Sequence, residues 1–207
     1  MILSGLAPDP RRPDYRLVEV DRGRFASLPA AALAGLDLVV GRELTPLVLG
    51  RLQEFADLEA AHRAALRALA RRAHARFDLR RRLLQRQHPA AAVDGAIERL
   101  SAAGLLDDER FAIDYAAAKA RRGRGPARLV RDLQAQGIER RVAEDAVCSS
   151  LAAEGVDPAQ AVRALAEKRA RQLAGLPPAV RKRRLAAFLA RRGFGGADVR
   201  TLVETLS

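Results

Sequence analysis

Tryptophan is absent from this 207-residue chain, and aromatic side chains amount to two tyrosines and six phenylalanines. Base stacking needs such platforms, so sequence-specific reading of single strands is not expected. One cysteine, Cys148, excludes an internal disulfide and any C-x-x-C metal or redox motif. Its place between Val147 and Ser149 in a helical pattern predicts a small core residue. The three histidines, His62, His74 and His88, lack metal-ligand spacing. His62 and His74 fall near one helical face, but that helix is expected to end near Arg72, and His88 reads as a turn or core residue. No uncharged apolar run reaches the roughly 18 residues of a membrane helix, and the start has no basic-then-apolar signal. No G-x-S-x-G occurs, and no glycine-rich loop leads into Lys-Ser/Thr. The reading is a non-enzymatic, cytoplasmic protein with no cofactor, no metal and no membrane contact.

What the chain has in excess is positive charge, +12 at pH 7, almost all of it arginine. Only Lys119, Lys168 and Lys182 are lysines. The charge is not spread evenly. Residues 1–55 are neutral, 56–106 carry +5, 107–156 are neutral and 157–207 carry +7. Concentrated cationic blocks favour a polyanion such as nucleic acid, and guanidinium forks pair with phosphate in two-point contacts. Alanine, leucine and arginine with few aromatics favour helix over sheet.

Residues 1–14, with three prolines, read as a flexible start. Tyr15 to Val20 alternates apolar and polar residues, Asp21-Arg22-Gly23 has turn chemistry, and Arg24 to Leu28 follows, which predicts a β-hairpin. Pro29 can open a short helix over residues 30–34. Thr45-Pro46 is a helix start with Thr45 as cap. From about residue 58 the period is helical and it recurs. Leu79, Leu129 and Leu185 align, then Leu83, Leu133 and Leu189, then Gln87, Gly137 and Gly193, then His88, Ile138 and Phe194. Val93, Ala143 and Val199 follow, with Ile97, Val147 and Val203 after them. Gly137 and Gly193 suit left-handed caps, whereas His88-Pro89 is expected to stop its helix by proline. Each unit has a preceding helix, over residues 58–72, 108–121 and 159–173. Recurrence at 50 and 56 residues marks a tandem array. The expected fold is mainly α: three tandem three-helix repeats in an elongated array (56–106, 107–156, 157–207), preceded by a small α/β appendage over 1–55 with its hairpin.

Repeat boundaries carry helix-start chemistry. Asp107 can cap, Asp108 and Glu109 suit the positive end of the helix dipole, and Leu106 can staple onto Phe111. That placement makes the acidic triplet a cap and not a metal cluster. Asp157-Pro158 and Pro177-Pro178 are further starts. The turn Arg121-Arg122-Gly123-Arg124-Gly125-Pro126 leads into a helix N-terminus, where free N–H groups attract anions. It reads either as a polyanion or acidic-partner contact or as a solvated turn. Two basic runs lie on the second helix of their repeats: Arg80, Arg81, Arg82 and Arg86 in the first, and Arg181, Lys182, Arg183 and Arg184, with Arg191 and Arg192, in the third. Arg128 and Arg131 occupy similar positions in the second. A basic ridge repeated on the same helix suits a repetitive polyanion, with a salt-dependent affinity.

These residues resemble the RecX family of recombinase regulators. The resemblance is carried by GLLDDERFA from Gly104 to Ala112, by RRGRGPARLVRDLQAQGI from Arg121 to Ile138, and by RKRRLAAFLARRGF from Arg181 to Phe194. LRRRLLQRQHPAAAVDGAIERL fits the first repeat, and YRLVEVDRGRFASL with VGRELT is similar to an extension that some members carry. It departs from the family at Phe77, where a small polar residue is usual, at Gln87, where glycine is, and at Ala186, where an aromatic is common. The resemblance implies a monomeric regulator in DNA repair and the SOS response. It would bind a RecA-type recombinase filament on single- or double-stranded DNA with weak sequence specificity, limiting filament growth and ATP hydrolysis. The family has no catalytic residues to carry over. Asp107, Asp108, Glu109 and Asp114 beside the arginine turn would offer both signs of charge to a protein partner. A helix-turn-helix-like transcription regulator is the alternative, disfavoured by the lack of an Asn/Gln-rich recognition helix.

Overall fold

The computed structural model describes residues 1–153 and 157–207. Three strands lead the chain: β1 (Leu3–Asp9), β2 (Arg12–Val20) and β3 (Gly23–Pro29). Helices follow: α1 (Ala30–Leu33), α2 (Pro46–Leu69), α3 (Arg76–Gln85), α4 (Ala90–Ala102), α5 (Asp108–Ala120), α6 (Pro126–Gln134), α7 (Arg140–Ala153), α8 (Pro158–Gln172), α9 (Pro178–Arg192) and α10 (Ala197–Thr205). They form two compact units, Met1–Ala73 with Leu79–Leu106, and His74–Asp78 with Asp107–Ser207. The boundary expected at residue 156 lies outside the described residues.

In the first unit the hairpin is present and is extended to a three-stranded antiparallel meander. Asp21 and Arg22 form its two-residue turn with φ of 49° and 62°, the primed geometry that matches strand twist. Residues 3–9, expected to be flexible, are instead β1. Leu3 is fully buried and pairs with Val20, so hydrophobic burial outweighs the local proline content. The free edge of β1 is covered: the Leu3 amide donates to the Arg42 carbonyl at 3.1 Å, and the Gly41 amide to that of Leu3 at 2.8 Å. Pairing this edge removes a template for aggregation. Leu3, Val18, Val20, Leu28 and Leu33 pack with Leu52 of α2.

The two helical pieces expected after residue 45 are one continuous helix, α2. Thr45 Oγ1 accepts the Val48 amide at 3.3 Å at its start. Glu59, 1% exposed, is held in its middle by two neighbours. Tyr15 of β2 donates its hydroxyl to Glu59 Oε2 at 3.0 Å, and Arg99 of α4 donates to Oε1 at 2.7 Å. This links sheet, α2 and α4. Burial, with the Glu59 carboxylate second, holds the Tyr15 phenol above its usual range. Burial, and then Arg99, pushes the His62 imidazole below its usual range. The core of the first repeat comprises Ala64, Ala65, Leu79, Leu83, Val93, Ile97, Leu100 and Leu106.

In the second unit Ala75, Phe111, Ala112, Leu129, Leu133, Ile138, Ala143 and Val147 share one cluster, and Val162, Ala166, Leu173, Leu185, Leu189 and Val203 another. Leu106 and Phe111, expected to staple together, thus belong to different clusters. All six aligned leucines are at most 1% exposed. Asp107 Oδ1 accepts the Arg110 amide at 3.0 Å, and Asp108 accepts that of Arg76 at 2.8 Å. Asp107 and Asp108 of the acidic triplet therefore do capping work. Asp157 caps α8 through the Ala159 amide at 2.9 Å. His74 is buried against Asp78 at 2.9 Å. Among the described residues no group of three or more His, Cys, Asp or Glu could hold a metal ion. No helix is long and apolar enough to cross a membrane, again among the described residues. Cys148 is exposed, not a core residue. The buried stripe of α7 runs through Ala143, Ala146, Val147 and Ser150, and a residue one step past that stripe turns about 100° away.

One feature is common to all three repeats. Gln87, Gly137 and Gly193 have φ of 63°, 86° and 88°. The following amide reaches back each time: His88 to Leu83 at 3.4 Å, Ile138 to Leu133 at 3.1 Å and Phe194 to Leu189 at 3.0 Å. Each second helix thus ends in a Schellman cap. The proline stop expected at His88-Pro89 is corrected: Gln87 makes the left-handed turn itself, and Pro89 stands at the N-cap of α4.

Candidate nucleic-acid interface

In the second unit, the turn after α5, the helix α6 and the end of α9 come together. Gly123 carries φ of 74° in the turn, and Gly125 precedes Pro126 at the start of α6. The amide of Gly125 donates to the Arg192 carbonyl at 2.7 Å. The C-terminal end of α9, negative by its peptide dipoles, therefore meets the positive N-terminal end of α6. The amide just before α6 is thus answered by a carbonyl of the chain itself. Arg192 also donates from Nη1 to the carbonyls of Arg122 and Gly123, at 3.2 and 3.1 Å. Its guanidinium lies 4.9 Å from the Phe188 ring centre, with Arg169 at 5.4 Å from the same ring.

The junction opens into a cleft of about 670 Å³ lined by Arg122, Arg124, Arg128, Arg131, Arg191 and Arg192. Six guanidinium groups line it, and one carboxylate beside them, Asp132, pairs with two of them. Asp132 accepts from Arg124 and, at 2.9 Å, from Arg128. Arg124 Nη1 also lies 3.5 Å from the Tyr115 hydroxyl. Burial, and next the Asp132 charge, hold the Tyr115 phenol above its usual range. Arg131 uses only Nε, on the Ala127 carbonyl at 3.2 Å. Arg122 and Arg191 are exposed, and among the described residues their side chains have no partner.

The other expected contact residues are distributed differently. In the first unit Arg80 is tied to Asp94, Nε to Oδ1 at 2.6 Å and Nη2 to Oδ2 at 3.2 Å, and this hydrogen bond, more than Coulomb attraction, lowers the Asp94 carboxyl. Arg81 and, in the second unit, Arg121 have partners of their own. Arg82 on α3 and Arg86, expected on the same helix but lying in the turn just after it, are exposed, without a partner among the described residues. On α9, Arg181 donates to the Ser207 carbonyl and Lys182 pairs with Glu204 at 3.1 Å. Arg183 and Arg184 are exposed and have no partner among the described residues. The run Arg181 to Arg184 does not line the cleft, which takes only the end of α9. Sequence reading passed over Asp132 and Phe188, which set the positions of three of the six arginines. The Arg128–Asp132 spacing of four on one helix was the available signal.

Comparison with known proteins follows the same division. Residues 61–100, 107–147 and 156–203 match the first, second and third three-helix domains of RecX. The regulatory protein RecX of Halorhodospira halophila is 39% identical over 143 residues, 69% of this chain and 85% of that protein. That of Ectopseudomonas mendocina is 38% identical over 137 residues, 65% and 87% of the two chains. The fold is similar to that in a crystal structure of regulatory protein RecX, with TM-score 0.75 and 19% identity over 99% of this chain and 98% of that one. A crystal structure of RecX from Lactobacillus salivarius has TM-score 0.61 over 72% and 96%, at 21% identity. Three matched domains in order, together with relatives of this identity and coverage, show that the chain belongs to the RecX family of regulatory proteins.

Proposed function

We propose that this protein binds a RecA-type recombinase filament on DNA and restrains it, lowering filament extension and ATP hydrolysis. The observation that carries this reading is the arginine cleft between α6 and the end of α9. Among the described residues one carboxylate, Asp132, pairs with two of its six guanidinium groups, which leaves most of their charge free for phosphate. Arginine held in place loses less entropy on pairing with phosphate than a free lysine does. Among the described residues the cleft presents no base-reading amide side chains, so DNA is gripped by its backbone, single- or double-stranded, with little sequence preference. Arg82, Arg86, Arg183 and Arg184 add contact points outside the cleft. The chain acts as a cytoplasmic monomer, organised as an appendage over 1–55 and repeats over 56–106, 107–156 and 157–207. The family resemblance, not the cleft, supplies the recombinase as partner.

The deciding experiment is titration of the protein into a RecA-type recombinase hydrolysing ATP on single-stranded DNA. Substoichiometric protein is expected to lower the rate. An unchanged rate at equal molarity in moderate salt refutes the filament reading. Changing Arg122, Arg131 and Arg191 to Ala together is expected to weaken the inhibition.

A further inference from the structure

In the register of the aligned leucines, Arg80, Val130 and Ala186 share one position of the second helix. Asp94, Glu144 and Arg200 share one position of the third. The three repeats fill the space between these two helices differently. In the first, Arg80 and Asp94 join the helices with a two-point ion pair. In the second, Val130 packs against the core, and Glu144 is engaged along its own helix by Arg140 at 2.7 Å. In the third, Ala186 is too short to fill that space, and Arg200 is exposed with no partner among the described residues. A groove stays open there, about 600 Å³, with Ala179, Ala186 and Ala190 on one wall, Val199 and Val203 on the other, and Phe194 at its end.

Its rim is cationic. Lys182, Arg183, Arg200 and Glu204 border it, and Glu204 is taken by Lys182 at 3.1 Å. Two arginines are therefore left without a counter-charge beside an apolar floor. We infer that the groove between α9 and α10 docks an acidic amphipathic segment of a partner protein. That segment places a large apolar side chain where the second repeat has Val130, and a carboxylate against Arg200, which stands at the position of Asp94 in the first repeat. The cover that the first two repeats supply from their own sequence comes to the third in trans. A DNA strand satisfies only half of this surface: phosphates answer the rim, but nothing in a sugar-phosphate backbone fills an alanine- and valine-lined floor. A helical segment with apolar anchors one turn apart satisfies both. The inference is independent of the arginine cleft and of the recombinase reading.

The test is fluorescence anisotropy of the full chain with a labelled helical peptide rich in glutamate, carrying leucine and phenylalanine four positions apart. A control peptide of equal charge has serine at both anchors. The first peptide is expected to bind, and the serine control to bind at least tenfold more weakly. Ala186→Trp fills the groove from within and is expected to weaken binding of the first peptide at least tenfold. Arg200→Glu is expected to do the same by reversing the rim. Both substitutions are at exposed positions, so a thermal melt is expected to match the parent chain, and Ala186→Trp is expected to leave binding of single-stranded DNA unchanged. Equal binding of both peptides, undiminished binding by Ala186→Trp, or binding of DNA with none of the anchored peptide overturns the inference.

Discussion

Gly193 lies against the backbone of Arg128. A side-chain carbon at Gly193 would come within 2.8 Å of the Arg128 Cα and closer still to its amide nitrogen. The same junction holds the Gly125 amide on the Arg192 carbonyl at 2.7 Å. The cleft arginines on either side of it therefore owe their spacing to two glycines that let backbones touch.

Gly193→Ala is expected to destabilise the protein by about 2 to 4 kcal/mol. Its φ of 88° is left-handed, and holding a residue with a Cβ there costs on the order of 1 to 3 kcal/mol before any clash. Gly125→Ala meets the Gly193 carbonyl carbon and oxygen at 2.7 Å and is expected to act in the same direction. Urea unfolding measures both. DNA affinity is expected to fall as well, because the clash pushes α9 away from α6 and separates the arginines.

Gln87 occupies the left-handed position that glycine fills in the other two repeats. Gln87→Gly is expected to stabilise the first unit by about 1 kcal/mol, since left-handed backbone costs a residue with a Cβ roughly that much. A urea midpoint that falls instead would mean the glutamine side chain makes contacts worth more than the strain.

That position also shows how far the fold was legible. The recurrence of leucines at 79, 129 and 185 marked the buried helix faces, because a leucine every four residues beside arginine has one stable placement in water. Gly137 and Gly193 marked the caps for a similar reason. Gln87 did not, because the residue itself has no left-handed preference. The capping geometry is imposed by burial of Leu83 and Val93 on either side of the turn. β1 was missed because Pro8 and the turn residues in and after it argue for a loop, and only pairing with β2, a non-local contact, overrides them. The arginines of the interface were legible one by one as exposed charges. Their division was not: which ones meet across a cleft depends on how α6 and α9 dock, and which are neutralised depends on partners such as Asp94, Asp132 and Glu204.

Tyr15→Phe is expected to cost about 1.5 to 3 kcal/mol at pH 7, the usual range for a hydrogen bond to a charged group. It removes a donor from buried Glu59. The pH dependence has a definite sign. The Tyr15 phenol is raised in the folded protein above 10.0, so its contribution is complete below pH 10 and is lost as the pH rises through the folded value. The stability difference between the parent chain and Tyr15→Phe should therefore shrink above pH 10. Chemical denaturation at pH 7, 9 and 10.5 checks it. His62 acts at the other end. Its imidazole is lowered below 6.5 in the folded protein, so its contribution is present above pH 6.5 and fades as the pH falls toward the folded value.

Asp132→Asn removes the carboxylate that pairs with Arg124 and Arg128. Both arginine side chains are more than a third exposed, so solvent screening limits the stability cost to about 1 kcal/mol. Polyanion binding should move the other way. Two guanidinium groups are released to phosphate, and the affinity for single-stranded DNA is expected to rise, with a steeper salt dependence. Fluorescence titrations at several salt concentrations measure the slope.

The same slope separates the cleft from the basic run on α9. For every phosphate no longer neutralised, the slope of log affinity against log salt falls by about 0.7 on single strands and about 0.9 on duplex. Changing Arg122, Arg131 and Arg191 to Ala removes three groups whose charge no carboxylate answers, so a reduction of about 2 is expected on single strands. Changing Arg181, Lys182, Arg183 and Arg184 together deletes as many charges from the sequence and one more. Yet Lys182 is paired with Glu204, which leaves Arg181, Arg183 and Arg184 to contribute. The larger deletion is therefore expected to give no larger a change than the cleft variant. If instead the run on α9 governs the slope and the cleft variant leaves it untouched, the polyanion lies along the start of α9, and the cleft arginines serve only to hold α6 and α9 together.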